Sequence, residues 1–125
     1  MTVKCLLMIR RKEGMSYEEF SEYWRDVHAP LAREHGDVLG VLRYVQVRPL
    51  RHPQAVALAG VRGTPIADFD GIAEVWWDSL DMDDPSESVM EIVAGILDDE
   101  RRFIDLEHSL IWFGVETVEI GHPSV

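Results

Sequence analysis

The sequence predicts an α+β fold of the split β-α-β, or ferredoxin-like, class, with four strands and two main helices in the order β-α-β-β-α-β. The prediction rests on strand-like and helix-like hydrophobic patterns that alternate along the chain in this order. Right-handed crossovers then place both helices on one face of an antiparallel four-stranded sheet. A length of 125 residues fits one domain, residues 1–125, with a core of about residues 3–118.

The first strand runs from Val3 to Arg10 and is apolar on both faces, which suits a strand covered on both sides. Ser16 followed by Glu19 is a capping box, so the first helix should begin there. Five apolar residues recur at helical spacing and define one buried face: Tyr17, Phe20, Trp24, Val27 and Leu31.

A break in this helix is predicted at Pro30. This residue has no N–H for the carbonyl of Asp26 and disfavours helical angles before it, so the helix should end or kink near His28. A short helical tail then runs to Gly36, a stop signal. His28 lies at the edge of the apolar face beside loosened backbone, where a titratable ring suits chemistry. The spacing supports equally a ring that only caps the helix end.

The rest of the chain supplies three more strands and a second helix. In chain order they are a strand from Val41 to Arg48, a strand from Ile72 to Trp77, a helix that starts at Ser86 or Glu87, and a strand from Leu110 to Ile120. An acidic turn is predicted over residues 78–85, and a loose tail begins at residue 121.

A long connection, residues 51–69, separates the second and third strands. It contains two prolines and two glycines and shows no clean periodicity, so it is predicted to be a loop. Its centre is apolar, and both a mobile loop and an ordered lid over a pocket or a neighbouring subunit fit this composition.

The sheet face away from the helices is too apolar to face water. Its predicted members are Leu6, Met8, Leu42, Tyr44, Trp76 or Trp77, and Trp112. An exposed apolar sheet marks an interaction or ligand surface. The economical solution is a homodimer in which two sheets close face to face into one α/β barrel.

Charge and cysteine content restrict the partners and the compartment. The formal net charge is −11; residues 1–62 hold ten Lys and Arg against seven Asp and Glu, whereas residues 63–125 hold two against sixteen. This acidity argues against nucleic acid or an anionic membrane as the main partner. Cys5 is the only cysteine, and the apolar run at the N-terminus is too short for a signal peptide or a membrane span. We therefore expect a cytoplasmic protein.

Three stretches of the chain resemble the EthD family. They are F-x-x-Y-W-x-x-x-H-A-P-L from Phe20 to Leu31, D-G-I-A-E-V-W-W-D-S from Asp70 to Ser79, and D-D-E-R-R-F-I-D from Asp98 to Asp105. The resemblance spans about residues 3–118 and implies a dimeric α/β-barrel protein. Related barrels include cofactor-free monooxygenases, polyketide cyclases and dehydratases, lactone isomerases and haem enzymes, so the resemblance implies the fold and leaves the reaction open.

Through this motif the resemblance points to His28 as the catalytic residue, a general base or acid in the cleft between sheet and helices. The candidate substrate-binding residues are Trp24, Tyr44, Glu74, Trp76 and Trp112. The tryptophans either wall a pocket for a flat ring or belong to the core and the interface. Three acidic residues are either partners that orient His28 or arginines of the first half, or solvated groups at a helix end: Asp99, Glu100 and Asp105.

No metal site and no cofactor is predicted, because the sequence lacks H-x-x-x-H spacing, a cysteine pair and a phosphate-binding glycine loop. Nothing in the sequence selects haem, for which His28 or His108 would be the ligand. The favoured function is a small cofactor-independent enzyme that oxygenates, cyclises, dehydrates or isomerises a hydrophobic, aromatic or carbonyl-bearing metabolite. The alternatives are a non-enzymatic small-molecule binding or carrier module and a structural dimer with a filled interior.

Overall fold

The computed structural model describes residues 2–81 and 84–122. Their elements are β1 (Val3–Ile9), α1 (Tyr17–Tyr23), a π-helical turn (Trp24–His28), α2 (Ala29–His35), β2 (Arg43–Val47), α3 (Pro53–Arg62), β3 (Gly71–Trp77), α4 (Glu87–Glu100) and β4 (Leu110–Val115). Parts of the predicted acidic turn and of the predicted tail, residues 82–83 and 123–125, lie outside the described residues. None of the helices in the described ranges has the length and apolar composition that a bilayer span requires.

The strands form one four-stranded antiparallel sheet in the order β2-β3-β1-β4. β1 lies inside the sheet, with Val3 opposite Trp77 of β3 on one side and Val115 of β4 on the other. Its apolar residues on both faces suit this position between two neighbours. The predicted α+β, ferredoxin-like fold is confirmed.

The first helical region runs from Tyr17 to His35 and changes its hydrogen-bond pattern in the middle. The predicted capping box at Ser16 begins it. In the π-turn the N–H of Ala29 bonds the carbonyl of Trp24, five residues back. The backbone keeps helical angles throughout the turn, so Pro30 coincides with a distorted helix rather than with its end.

The prediction of a loop over residues 51–69 is wrong for its central part, which forms α3. Pro53 occupies the first turn, where its missing N–H costs nothing, and the ring of His52 accepts from the N–H of Gln54 at 3.0 Å. Gly63 ends the helix with a left-handed φ of 63°. No residue of this helix is buried, so it carries no periodic buried face. Its large apolar side chains are exposed: Val56, Leu58 and Val61.

The two faces of the sheet have different surroundings. The helix-facing side contributes to the core, whose buried members are Ile9, Phe20, Trp24, Ala73, Phe103 and Ile104. The opposite side, here called the open face, carries Lys4, Leu6, Met8, Glu74, Trp76 and Trp112. The predicted open-face position of Tyr44 is wrong, because this residue pairs with Val75 on the helix-facing side. The two faces of β2 are therefore reversed relative to the prediction. Gln46, on the same face as Tyr44, donates a hydrogen bond to the carbonyl of Trp24 in the π-turn.

Candidate active site

A cavity of about 250 Å³ lies between the helix-facing side of the sheet and the helices. Most of its wall is apolar, with Leu7, Ala73, Val75, Trp77, Trp24 and Ile96 among the lining residues. Three lining side chains carry larger polar groups: His28, Tyr44 and Glu100. An apolar cavity of about 150 Å³ takes benzene, so this larger one has room for a substituted ring or two fused rings.

His28 and Asp99 form a buried hydrogen-bonded pair at the wall of this cavity. Their exposed fractions are 7% and 6%. His28 Nδ1 lies 2.9 Å from Asp99 Oδ2. A carboxylate accepts hydrogen bonds, so Nδ1–H donates and Nε2 is the ring nitrogen left for another partner. The interpretation of Asp99 as a partner that orients His28 is confirmed by this contact.

Tyr23 holds the same carboxylate through its other oxygen. The phenol oxygen lies 2.5 Å from Asp99 Oδ1 and donates to it. Burial, and then the hydrogen bond to Asp99, raise the pKa of Tyr23, so the phenol keeps its proton at neutral pH. The ring of Phe103 packs with its centroid 5.0 Å from that of His28. Asp99 accepts hydrogen bonds from both Tyr23 and His28, and the ring of Phe103 packs on His28. Together these contacts fix the orientation of the imidazole.

The π-turn that carries His28 is anchored to the sheet at two points. Gln46 of β2 donates to the carbonyl of Trp24, at 2.9 Å. The indole of Trp24 lies against the backbone of β3, where a Cβ on Gly71 would stand 2.6 Å from Cζ3 of the ring. Only glycine leaves room for this approach. Wide turns of this kind occur frequently at functional sites, because they displace a side chain from the regular helical course.

Tyr44 presents a phenol to the cavity from β2. Its oxygen accepts a hydrogen bond of 2.9 Å from Gln46 Nε2, whereas Gln46 Oε1 accepts from Arg48 at 3.0 Å. Because Arg48 can only donate, these contacts fix the amide orientation and make the Tyr44 oxygen an acceptor. The hydroxyl proton of Tyr44 remains available for another acceptor. Burial raises the pKa of Tyr44, so the hydroxyl is protonated at neutral pH.

Glu100 brings a carboxyl group into the same cavity from the end of α4. Burial, and then the negative charge of Asp99, raise its pKa from 4.5 to about 7. Cys5 and Tyr44 line the same cavity, and burial, with the charge of Glu100 as a smaller cause, raises the pKa of both side chains. The sequence signal that could have placed Glu100 in the cavity is its position four residues after Ile96, because residues four apart lie on the same face of a helix. From the sequence, Glu100 is expected only as an orienting or solvated acid.

The other predicted binding residues do not line this cavity. Glu74, Trp76 and Trp112 lie on the open face. Glu74 binds Lys4 at 2.8 Å, and the indole N–H of Trp76 donates to Glu116 at 2.9 Å. Trp76 is 2% exposed and Trp112 is 64% exposed. The structure therefore groups the histidine with Trp24 and Tyr44 and places the remaining candidates on the far side of the sheet.

The third acidic candidate, Asp105, pairs with a different histidine. Its Oδ2 lies 2.7 Å from His108 Nδ1, and this contact raises the pKa of His108. His108 is exposed, so the pair belongs to the surface. Within residues 2–81 and 84–122, no group of three His, Cys, Asp or Glu side chains is arranged to hold a metal ion.

The sequence also matches a known family over the helices and two of the four strands, β2 and β3. A family model described as the EthD domain matches residues 12–107. This chain belongs to the EthD family. The matched range includes the cavity residues His28, Tyr44 and Glu100, and the partner Asp99, so the polar groups of the site described above lie within the EthD domain.

Two solved structures share the fold of this EthD-family chain. An EthD-like protein from Ralstonia eutropha JMP134 is 20% identical, with a TM-score of 0.60, and the match covers 95% of each chain. HapK from Hahella chejuensis is 13% identical, with a TM-score of 0.50, and the match covers 98% of this chain and 99% of that chain. A search of curated proteins finds no match.

Proposed function

We propose that this protein is a small enzyme that transfers protons on a hydrophobic, aromatic or carbonyl-bearing metabolite, with His28 as the acid/base. The observation that carries the proposal is the buried His28–Asp99 pair at the wall of an apolar cavity. A site for such a metabolite needs an apolar surround with a few placed polar groups. It also needs a base whose tautomer is held in place.

The arrangement supports removal of a proton by Nε2 of His28. Asp99 keeps the ring proton on Nδ1 before the step and stabilises the imidazolium that forms afterwards, as a carboxylate does beside a catalytic histidine. Tyr44 has a hydroxyl proton to offer to a substrate oxygen on which negative charge develops. The wall around these groups is largely apolar, which strengthens both interactions. Oxygenation, cyclisation, dehydration and isomerisation can each begin with such a proton transfer.

A thermal-shift screen of aromatic and polyketide-like metabolites tests this proposal. It compares wild type with His28→Ala and with His108→Ala, a control that removes an exposed histidine also paired with an aspartate. A ligand should raise the melting temperature of wild type and of the control. Turnover of that ligand should fall about 10²- to 10⁴-fold in His28→Ala only. Equal turnover in all three proteins would contradict the proposal, and binding without turnover by wild type would identify a carrier module.

We further propose that the protein acts as a homodimer closed through its open face. Large apolar side chains are exposed on this face, including Leu110 at 56%, Trp112 at 64% and Val47 at 40%. Contiguous exposed apolar surface of this kind usually marks an interaction site. A two-fold contact between two such faces would cover the same residues on both copies.

A further inference from the structure

One buried titratable group takes no part in the step assigned to His28. Glu100 lines the cavity, and its neighbour along the chain, Asp99, is engaged by His28 and Tyr23. Two arginines follow Glu100 along the chain: Arg101 is exposed and pairs with Asp98 at 2.9 Å, and the exposed Arg102 lies 3.9 Å from Asp99. The cavity wall contains no Lys or Arg among the described residues. A carboxyl group in such a place keeps its proton more readily than one in water.

Four other titratable groups line the cavity with Glu100 or precede it along the chain. Cys5 approaches from β1, Tyr44 from β2 and His28 from the π-turn, and Asp99 precedes it on α4. The pKa values of the thiol and the phenol are raised above 9.0 and 10.0, so both groups are neutral between pH 6 and pH 8. A ligand affinity that changes between pH 6 and pH 8, and still does so after His28 is replaced, therefore reports on Glu100.

We propose that Glu100, in its protonated form, is the second polar group that recognises the substrate, and that it donates to the carbonyl oxygen of an uncharged compound of one or two rings. This inference rests on the function proposed above and assigns the substrate class. The oxygen of the ligand would accept from Glu100 and from Tyr44, whose hydroxyl proton is available. An anionic ligand is disfavoured, because it would place a second acidic group beside Glu100 and the described wall offers no cation.

The two groups complete a balanced proton transfer. His28 Nε2 removes a proton from the carbon beside the carbonyl, and the C–H electron pair becomes a C=C bond. The π pair of the carbonyl moves to oxygen, which takes the proton of Glu100 to give a neutral enol, an imidazolium and a carboxylate. Return of the proton from His28 to another carbon of the conjugated system, and of the enol proton to Glu100, gives an isomer and restores both groups.

Binding of three bicyclic probes tests the inference: 1-tetralone, its hydrocarbon analogue tetralin, and 1-naphthoate. Calorimetry at pH 6 and pH 8 should show that wild type prefers 1-tetralone to tetralin at pH 6 and does not bind 1-naphthoate. Affinity for 1-tetralone should fall about 3- to 10-fold at pH 8, the range of one hydrogen bond. Tetralin should bind equally at both pH values, because it accepts no hydrogen bond.

Variants assign the effect to one group. Glu100→Gln keeps an N–H donor and should bind 1-tetralone equally at both pH values, whereas Glu100→Leu should lose the preference for the ketone. His28→Gln should retain the pH dependence, and so should Glu87→Gln, which alters an exposed glutamate at the start of the same helix. A pH dependence that disappears in His28→Gln and survives in Glu100→Gln would overturn the role of Glu100 and leave the site intact. Binding of none of the probes by wild type would overturn both this inference and the proposed function.

Discussion

At the scale of single residues, the carboxyl group of Glu100 should make the free energy of unfolding depend on pH. Its pKa is raised by burial to about 7 in the folded state, against 4.5 for an unburied group. A raised acid pKa contributes stability that is present below pH 4.5 and is lost as the pH rises through 7. Glu100→Gln should therefore be more stable than wild type at pH 8, by about 1–3 kcal/mol, and should lose this advantage near pH 4.5.

Urea unfolding at pH 4.5, 6 and 8 measures this difference in the free energy of unfolding. Glu87→Gln, an exposed change on the same helix, serves as the control and should show no such pH trend. A difference between wild type and Glu100→Gln that does not grow with pH would mean that the carboxyl is solvated.

Gly71 is a second residue with a testable role, because the indole of Trp24 leaves no room for a side chain at this position. A Cβ at this position would stand 2.6 Å from the indole of Trp24. Gly71→Ala should lower the free energy of unfolding by about 1–3 kcal/mol, because the ring or the strand must move. Gly95→Ala on α4 is the matched comparison, since a Cβ there would meet no neighbouring atom of the described residues within 4 Å. That change should stabilise the protein by about 0.5–1 kcal/mol; two changes of the same sign and size would show that space at Gly71 is not limiting.

The residues of the site differ in how far the sequence reveals them. His28 is identifiable because a histidine beside a proline at the edge of an apolar face is an unusual local pattern. Glu100 is harder to identify, since three consecutive acids at a helix end read equally well as a solvated terminus. Which of them faces inward depends on helix packing in three dimensions. Glu74 and Tyr44 alternate correctly within their own strands, but the choice of face depends on the partner strand.

At the scale of elements, the contact between β2 and the π-turn should control the geometry of the site. Gln46 bonds the carbonyl of Trp24 and the hydroxyl of Tyr44, each at 2.9 Å. Gln46→Met has a similar shape but no polar atoms for these partners, and should cost about 1–3 kcal/mol of unfolding free energy. The same substitution at Gln54, an exposed residue of α3, should change stability by less than about 0.5 kcal/mol.

Denaturant unfolding of both variants supplies the comparison. Equal effects at positions 46 and 54 would mean that the bonds of Gln46 contribute no more than a surface side chain does. A specific loss at position 46 would show that the strand holds the turn in place.

The predictability of the elements follows from what stabilises each of them. The strands and α4 carry apolar residues that pack on the body of the domain, so their periodicity is visible in the sequence. α3 buries none of its residues and is defined by its ends, Pro53 and Gly63. Periodicity therefore misses this helix, although the signals at its ends are present. The π-turn is not predicted either, because a break at Pro30 fits an ended helix as well as a widened one.

At the scale of the whole molecule, the open face should determine the oligomeric state. Trp112 is 64% exposed and lies beside Leu6 of β1. If two open faces meet, a charge at this position is buried without a partner, so Trp112→Glu should shift the protein from dimer to monomer. Sedimentation velocity measures this shift. Val38→Glu introduces the same charge at an exposed position in the turn after α2 and should leave the dimer intact. A monomeric wild type would refute the dimer.

The proposed chemistry requires His28 to present the lone pair of Nε2 to the cavity. The ¹⁵N NMR spectrum of the imidazole measures which nitrogen carries the proton, with the resonances assigned by their loss in His28→Gln. We predict a proton on Nδ1, held by Asp99, and a lone pair on Nε2 whose resonance moves when 1-tetralone is added. A proton on Nε2, together with no response to the ketone, would show that His28 is a structural residue and that the chemistry lies elsewhere.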